Sequence, residues 1–275
     1  MGNGLPGQLL ESDVAPRGDS RAAAFGATPE SRTTAELRLI GGFEFRVGGW
    51  PVRVGAAAQR LLALLAVREQ STTRYQAAGM LWPDFPAERA AANLRSVMWR
   101  LQRSHQSFDT SFGDLRLAGT VRVDLHEVSE SARMLLHQRE PLREDQLHEL
   151  LHANFYDELL PDWSEEWLIA ERERFRQLRL HALEALCAQL SAMRWHGSAV
   201  DTGLAVVRTD PLRESGHCVL IKAYLAEGNY CEALRQFRRY AALLRTELRL
   251  DPSPQLREII RVASLNTRLD FEPGL

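Results

Sequence analysis

The sequence predicts an α+β protein: a small sheet, three helices and a hairpin in the first 124 residues, then an all-helical half. Three patterns carry this reading. Apolar residues alternate with period two near residues 36–54 and again near 115–123, a helical period separates those stretches, and helical periodicity alone continues from residue 125. A chain of 275 residues, 45% hydrophobic, is long enough for two cores. The expected division is a disordered tail over 1–32, a first domain over 33–124 and a second over 125–275.

The tail is rich in Gly, Ala, Pro, Ser and Arg and has no apolar period. From Glu36 the alternation begins with Leu37 and Leu39, resumes at Phe43, Phe45 and Val47 after Gly41-Gly42, and returns at Trp50, Val52 and Val54 after Gly48-Gly49. That punctuation predicts a small antiparallel sheet. A helix is expected over about Ala56 to Arg68, with Leu61, Leu62, Leu64 and Leu65 as its buried stripe. Ser71-Thr72-Thr73 offers caps for a short second helix, about Arg74 to Leu81, which Trp82-Pro83 stops. Pro86 suits the first turn of a third helix that runs to His105. Beyond it, Leu115-Arg116-Leu117 and Val121-Arg122-Val123 alternate around Ala118-Gly119-Thr120 and predict a second hairpin.

The third helix has two distinct faces. At 100° per residue, Leu94, Val97, Met98 and Leu101 fall on one side and Arg89, Ser96, Trp99, Arg100 and Arg103 on the other, with no acid between Arg89 and Phe108. Sheet, three helices and hairpin is the order of a winged helix-turn-helix with an extra N-terminal sheet, as in the DNA-binding domains of response regulators; there the third helix enters the major groove. In that frame Arg100 and Arg103 can pair with guanine edges or phosphates, and Ser96 can sit against a base or backbone oxygen. Trp99 can lie on a sugar or a thymine methyl, and Arg116 on the wing can reach phosphate or the minor groove. An exposed basic helix taken alone is more often a solvated face, and interdomain packing is the plain alternative for Trp99.

Charge supports the first reading. Residues 32–106 carry an excess of six arginines over acids, whereas acids outnumber bases from 125 onward, an asymmetry suited to one domain meeting phosphate. The helical half opens with a long amphipathic stretch, about Ser164 to Met193, with Leu168, Phe175, Leu178, Leu183, Leu186 and Leu190 as its apolar positions. Its acid-base run from Glu165 to Arg176 reads as a solvated face, with Glu171–Arg174 and Glu173–Arg176 pairs. A tetratricopeptide-like helix pair follows, carried by Leu220, Tyr224, Gly228, Tyr230, Ala233 and Phe237. A fainter copy places Val200 opposite Tyr230 and Gly203 opposite Ala233, at less than the usual spacing. These aromatic residues read as helix packing rather than as ligand contacts.

Other chemistries find little support. The three cysteines, Cys187, Cys218 and Cys231, form no CxxC pair, and with eight histidines they show no metal-ligand spacing. No nucleophile elbow or phosphate loop appears, so no enzyme, cofactor or metal is expected. Without a membrane-spanning run or a signal peptide, a cytoplasmic protein with no membrane partner is expected.

Several motifs in order resemble one family. Gln59-Arg60-Leu61-Leu62-Ala63-Leu64-Leu65, Leu81-Trp82-Pro83 and Ala92-Asn93-Leu94-Arg95-Ser96-Val97-Met98-Trp99-Arg100-Leu101 are similar to the first part of Streptomyces antibiotic regulatory protein (SARP) activators. Leu159-Leu160-Pro161-Asp162-Trp163, Trp167 to Arg174, Asp210-Pro211-Leu212-Arg213-Glu214 and Glu247 to Pro254 resemble their bacterial transcriptional activator domain. The resemblance covers about residues 34–262. It implies an activator of specialised-metabolite genes, including antibiotic biosynthesis, that binds direct repeats in double-stranded promoter DNA, self-associates there and recruits RNA polymerase holoenzyme through its sigma and core subunits. The expected DNA-binding set is Arg89, Asn93, Arg95, Ser96, Trp99, Arg100, Arg103 and Arg116. Where the family commonly carries Leu-Arg-Arg, this chain has Leu101-Gln102-Arg103, so Gln102 offers a neutral hydrogen bond in place of a basic contact. The competing reading is a protein-interaction scaffold whose winged helix does not read DNA.

Overall fold

The computed structural model describes Met1 and residues 35–269 other than 69, 105, 106, 112 and 139, so the expected disordered tail lies outside the described residues. Strands β1 (Ala35–Arg38), β2 (Glu44–Val47) and β3 (Trp50–Pro51) form successive antiparallel pairs. Gly48 and Gly49 both take positive φ, 58° and 83°, which gives the two-residue primed turn whose twist matches the strands it joins. The expected third strand is cut short. Pro51 has no N–H to continue the ladder, although the Val52 N–H still donates to the Phe45 carbonyl at 2.8 Å.

Helix α1 (Ala56–Arg68) has the expected limits, but its burial is not a stripe: every residue from Leu61 to Val67 is at most 2% exposed. The rest of the fold therefore surrounds it. After β4 (Thr72–Thr73), α2 (Arg74–Leu81) is capped by Thr73, whose hydroxyl accepts from the Gln76 N–H while the Gln76 side chain accepts from the Thr73 N–H. Helix α3 (Ala87–Ser104) follows, with Pro86 just before it accepting from the N–H groups of Arg89 and Ala90.

The second hairpin differs from expectation. Strand β6 (Asp114–Leu117) pairs with β5 (Phe108–Ser111) and with β4, giving the order β4-β6-β5, whereas β7 (Val121–Val123) runs parallel to β1 in the other sheet, order β3-β2-β1-β7. Alternation identifies strands but not their partners. Val121 and Val123 are buried against β1, and β5 has only Phe108 as a buried apolar residue to announce it.

Helix α4 (Asp124–His137) starts where β7 ends, and the Asp124 carboxylate accepts from the N–H groups of Leu39, Ile40 and Leu125 at 2.7–3.0 Å. Burial raises its pKa in spite of those donors. After α5 (Glu144–His152), an irregular segment leads to α6 (Glu166–Ala192). That segment is held from two sides. The Leu160 N–H donates to the Leu39 carbonyl at 2.9 Å and the Gly41 N–H to the Glu158 carbonyl at 2.7 Å. From α6, Arg172 donates to the carbonyls of Leu159, Leu160 and Trp163 at 2.6–3.0 Å. Arg179, only 1% exposed, donates to the Tyr156 carbonyl at 2.9 Å. The pairs expected on this stretch do form, Glu171–Arg174 at 3.0 Å and Glu173–Arg176 at 2.8 Å, but Arg172 between them is a structural clamp and not a solvated charge. One apolar core thus runs from β1 and α1 into α6, and Thr33–Leu275 forms one compact unit.

Helices α7 (His196–Thr209), α8 (Glu214–Glu227) and α9 (Tyr230–Glu247) continue the helix pairs, and α10 (Pro254–Leu269) closes them. Gly228 ends α8 with φ 86°, and Arg194, 34 residues earlier, follows α6 with φ 63°. This matching left-handed turn corrects the repeat register. His196 falls opposite Tyr230, Ala199 opposite Ala233 and Val200 opposite Leu234, at the full 34-residue spacing.

A small polar cluster fixes the second pair. His217, 2% exposed, donates from Nε2 to the Pro211 carbonyl at 2.9 Å, accepts at Nδ1 from the Gln236 amide at 2.8 Å, and stacks on Tyr240 at 4.0 Å. Burial lowers its pKa. The unfolded chain therefore takes up the proton first, near pH ~6.5. Stability is full above that value and declines as pH falls below it. We expect urea midpoints to drop between about pH 7 and pH 5, and His217→Gln to flatten part of that slope while costing about 1–2 kcal/mol at pH 7. An unchanged slope in the variant would assign the acid sensitivity elsewhere.

Candidate nucleic-acid interface

Helix α3 is anchored along one side by Ala90, Leu94, Val97, Met98 and Leu101, each 2–7% exposed. The opposite arc is open to solvent. Arg89, Arg95, Ser96, Trp99, Arg100, Gln102 and Arg103 are all exposed, and Asn93 is half-buried at the edge of the arc. At 100° per residue the arc runs from Gln102 and Arg95 at one flank, through Trp99, Arg103, Ser96 and Arg89, to Arg100 and Asn93 at the other. Seven of the eight expected contact residues therefore share one continuous surface. The packed face is apolar because it closes on α1 and α2, which leaves the charged side chains only the outer arc.

Local contacts order several of these side chains. The Arg103 guanidinium lies over the Trp99 ring, 4.8 Å from its centroid, and Arg89 lies over Phe85 at the same distance. Arg100 donates from Nε to the Ser96 carbonyl at 3.2 Å, which ties its side chain to the helix it leaves. Trp99 is 59% exposed, so it is not an interdomain packing residue among the described residues. Arg116 stands apart on β6, opposite Asp109 and 3.7 Å from its carboxylate. With β6 paired to β5, the wing is the β5–β6 hairpin; Gly113, at φ 94°, lies in its turn.

The structure adds a residue that the sequence reading missed. Arg53 and the first turn of α1 line an open cavity of about 420 Å3 together with Arg100. Arg53 is exposed and makes no ion pair among the described residues. Its outward place between Val52 and Val54 was visible, but the expected strand assigned it to the sheet rather than to the end of a helix beside α3.

No helix among the described residues is long and apolar enough to cross a membrane, and no group of His, Cys, Asp or Glu among them could hold a metal ion. Cys187 is buried and its thiol donates to the Ala199 carbonyl at 3.2 Å; burial pushes its pKa up to about 12. That thiol is a packing group and not a nucleophile.

Residues 123–262 match the bacterial transcriptional activator domain. The chain belongs to that family. As a bacterial transcriptional activator domain protein, it is 28% identical over 259 residues to the regulatory protein AfsR of Streptomyces coelicolor, covering 88% of this chain and 25% of that relative. It thus spans about a quarter of AfsR. Among solved structures, Mycobacterium tuberculosis EmbR in complex with a low-affinity phosphopeptide is similar with a TM-score of 0.65 and 19% identity, over 85% of this chain and 66% of that one. The SARP-type resemblance drawn from the motifs is borne out, and so is the α+β order of a winged helix followed by helical repeats.

Proposed function

We propose that this family member is a sequence-specific DNA-binding activator in which residues 33–124 read promoter direct repeats and residues 125–275 self-associate on DNA and recruit RNA polymerase holoenzyme through its sigma and core subunits. Its targets in this reading are specialised-metabolite genes of the antibiotic class, and it works in the cytoplasm without catalysing a reaction. The observation that carries the proposal is the exposed arc of α3: basic, free of acids between Arg89 and Ser104, and anchored from behind by a fully apolar face. Arg100 and Arg103 supply base-edge or phosphate contacts, Arg89, Asn93, Arg95 and Ser96 extend them along the groove, Trp99 stacks on sugar or a thymine methyl, and Arg116 reaches from the wing. Arg53 joins Arg100 at one flank.

Fluorescence anisotropy on the promoters that flank its gene tests this reading. Binding is expected at low salt and should weaken steeply as salt rises from about 50 to 200 mM, by roughly a decade for every few phosphates neutralised. A protein that ignores those promoters at low salt would overturn the proposal and leave the interaction-scaffold reading in its place.

A further inference from the structure

Between α2, the first half of α3 and the start of α6 lies an open cavity of about 810 Å3. That volume falls within the ~300–1,000 Å3 range of small-molecule sites. Its walls include the rings of Tyr75, Trp82, Phe85 and Trp167. Tyr75 is 79% exposed and Phe85 39%, so their ring surface is turned to solvent instead of being used in the core.

Gly79 lines the same cavity from the middle of α2. A Cβ at this position would meet no atom within 4 Å, and the backbone is not left-handed. Glycine inside a helix costs about 0.5–1 kcal/mol relative to alanine. Neither packing nor backbone geometry explains its presence, and the absent side chain leaves floor space in the cavity.

The rim is mostly positive. Arg68, Arg74 and Arg95 line it without an ion pair among the described residues; Arg68 reaches only the Met80 sulfur, at 3.4 Å. On the α6 side Glu165 is already held by Arg60 at 2.7 Å and by the Trp167 indole N–H at 3.2 Å, which leaves Glu166 as the one unpaired acid of the described lining. Aromatic rings and unpaired arginines lining one cavity suit one kind of guest.

We propose that this cavity binds a flat, mostly apolar small molecule that carries a single acidic group, with its rings between the aromatic walls and its anion on the arginine rim. A guest seated there touches α3 and the first turn of α6 together. Its linkage to promoter binding rests on the DNA-binding reading above; its binding to the free protein does not.

The probe is 1-anilinonaphthalene-8-sulfonate, an aromatic anion whose flat naphthalene carries a single sulfonate, titrated into the full chain without DNA. One saturable site is expected, with quenched tryptophan emission. Gly79→Leu, a change at an exposed helical position, should keep the thermal midpoint and weaken the probe at least about tenfold by filling the floor. If that midpoint moves, Ala91→Leu on the facing wall makes the same measurement. Arg74→Gln combined with Arg95→Gln should weaken the sulfonate by about fivefold or more while leaving its uncharged analogue, N-phenyl-1-naphthylamine, within about twofold. Non-saturable binding, or unchanged affinity in a folded cavity-filling variant, overturns the proposal. Loss of promoter binding with the probe site intact would refute the DNA reading alone.

Discussion

Arg100→Ala and Arg103→Ala are each expected to weaken promoter binding by about 1–3 kcal/mol, roughly five- to 150-fold, if they read base edges. Both side chains leave the exposed arc of α3, so neither change opens a cavity in the core. The free protein should therefore melt as the parent does. The two sites differ in their neighbours. Arg103 rests on Trp99, so Trp99→Ala should reproduce part of the Arg103 loss by releasing the guanidinium from its platform. Lysine at either position keeps the charge but not the planar fork; it should preserve the salt slope while relaxing base preference. An unchanged binding midpoint in both alanine variants would remove these residues from the interface.

A chain that ends at residue 124 is expected to lose cooperative unfolding. The sequence alone divides the protein there, into a first domain over 33–124 and a second over 125–275. In the fold, Leu39 and Ile40 are 0% and 7% exposed and sit against the 155–163 segment, through the Leu160 N–H bond to Leu39 and the Ile40–Leu159 bridge. Truncation also removes His126, whose Nε2 lies 2.7 Å from the Ala66 carbonyl, and Glu165, the partner of Arg60. Each large apolar side chain returned to water costs about 1.5–3 kcal/mol. A few of them approach the whole margin of about 5–15 kcal/mol that holds a domain folded. Circular dichroism should show a broad, non-cooperative melt for the fragment and a sharp one for the full chain. A sharp transition in the fragment at the parent temperature would show that the first 124 residues stand alone.

What the sequence made legible was local. The limits of α1 and α2 and the start of α3 follow from punctuation that acts within a few residues: Gly48-Gly49, the Thr73 cap, Trp82-Pro83 and Pro86. The arc of α3 was legible for the same reason, since a helical wheel needs only 3.6 residues per turn. Choices between distant partners were not. Val121-Arg122-Val123 alternates in the same way whether it pairs with β6 or, as it does, with β1. The repeat register was hidden because Arg194 occupies a left-handed position that glycine usually announces. Arg172 looked like an ordinary helix charge because its acceptors are backbone carbonyls, which leave no trace in composition.

Those carbonyl acceptors also set how the molecule answers to acid. A guanidinium stays charged throughout the range in which proteins survive, and a peptide oxygen does not take up a proton there, so the Arg172 clamp has no titrating member. The α8–α9 pair, by contrast, is pinned by an imidazole that must remain neutral. Mild acidification should therefore loosen the α8–α9 pair while the Arg172 clamp on the 159–163 segment keeps its grip.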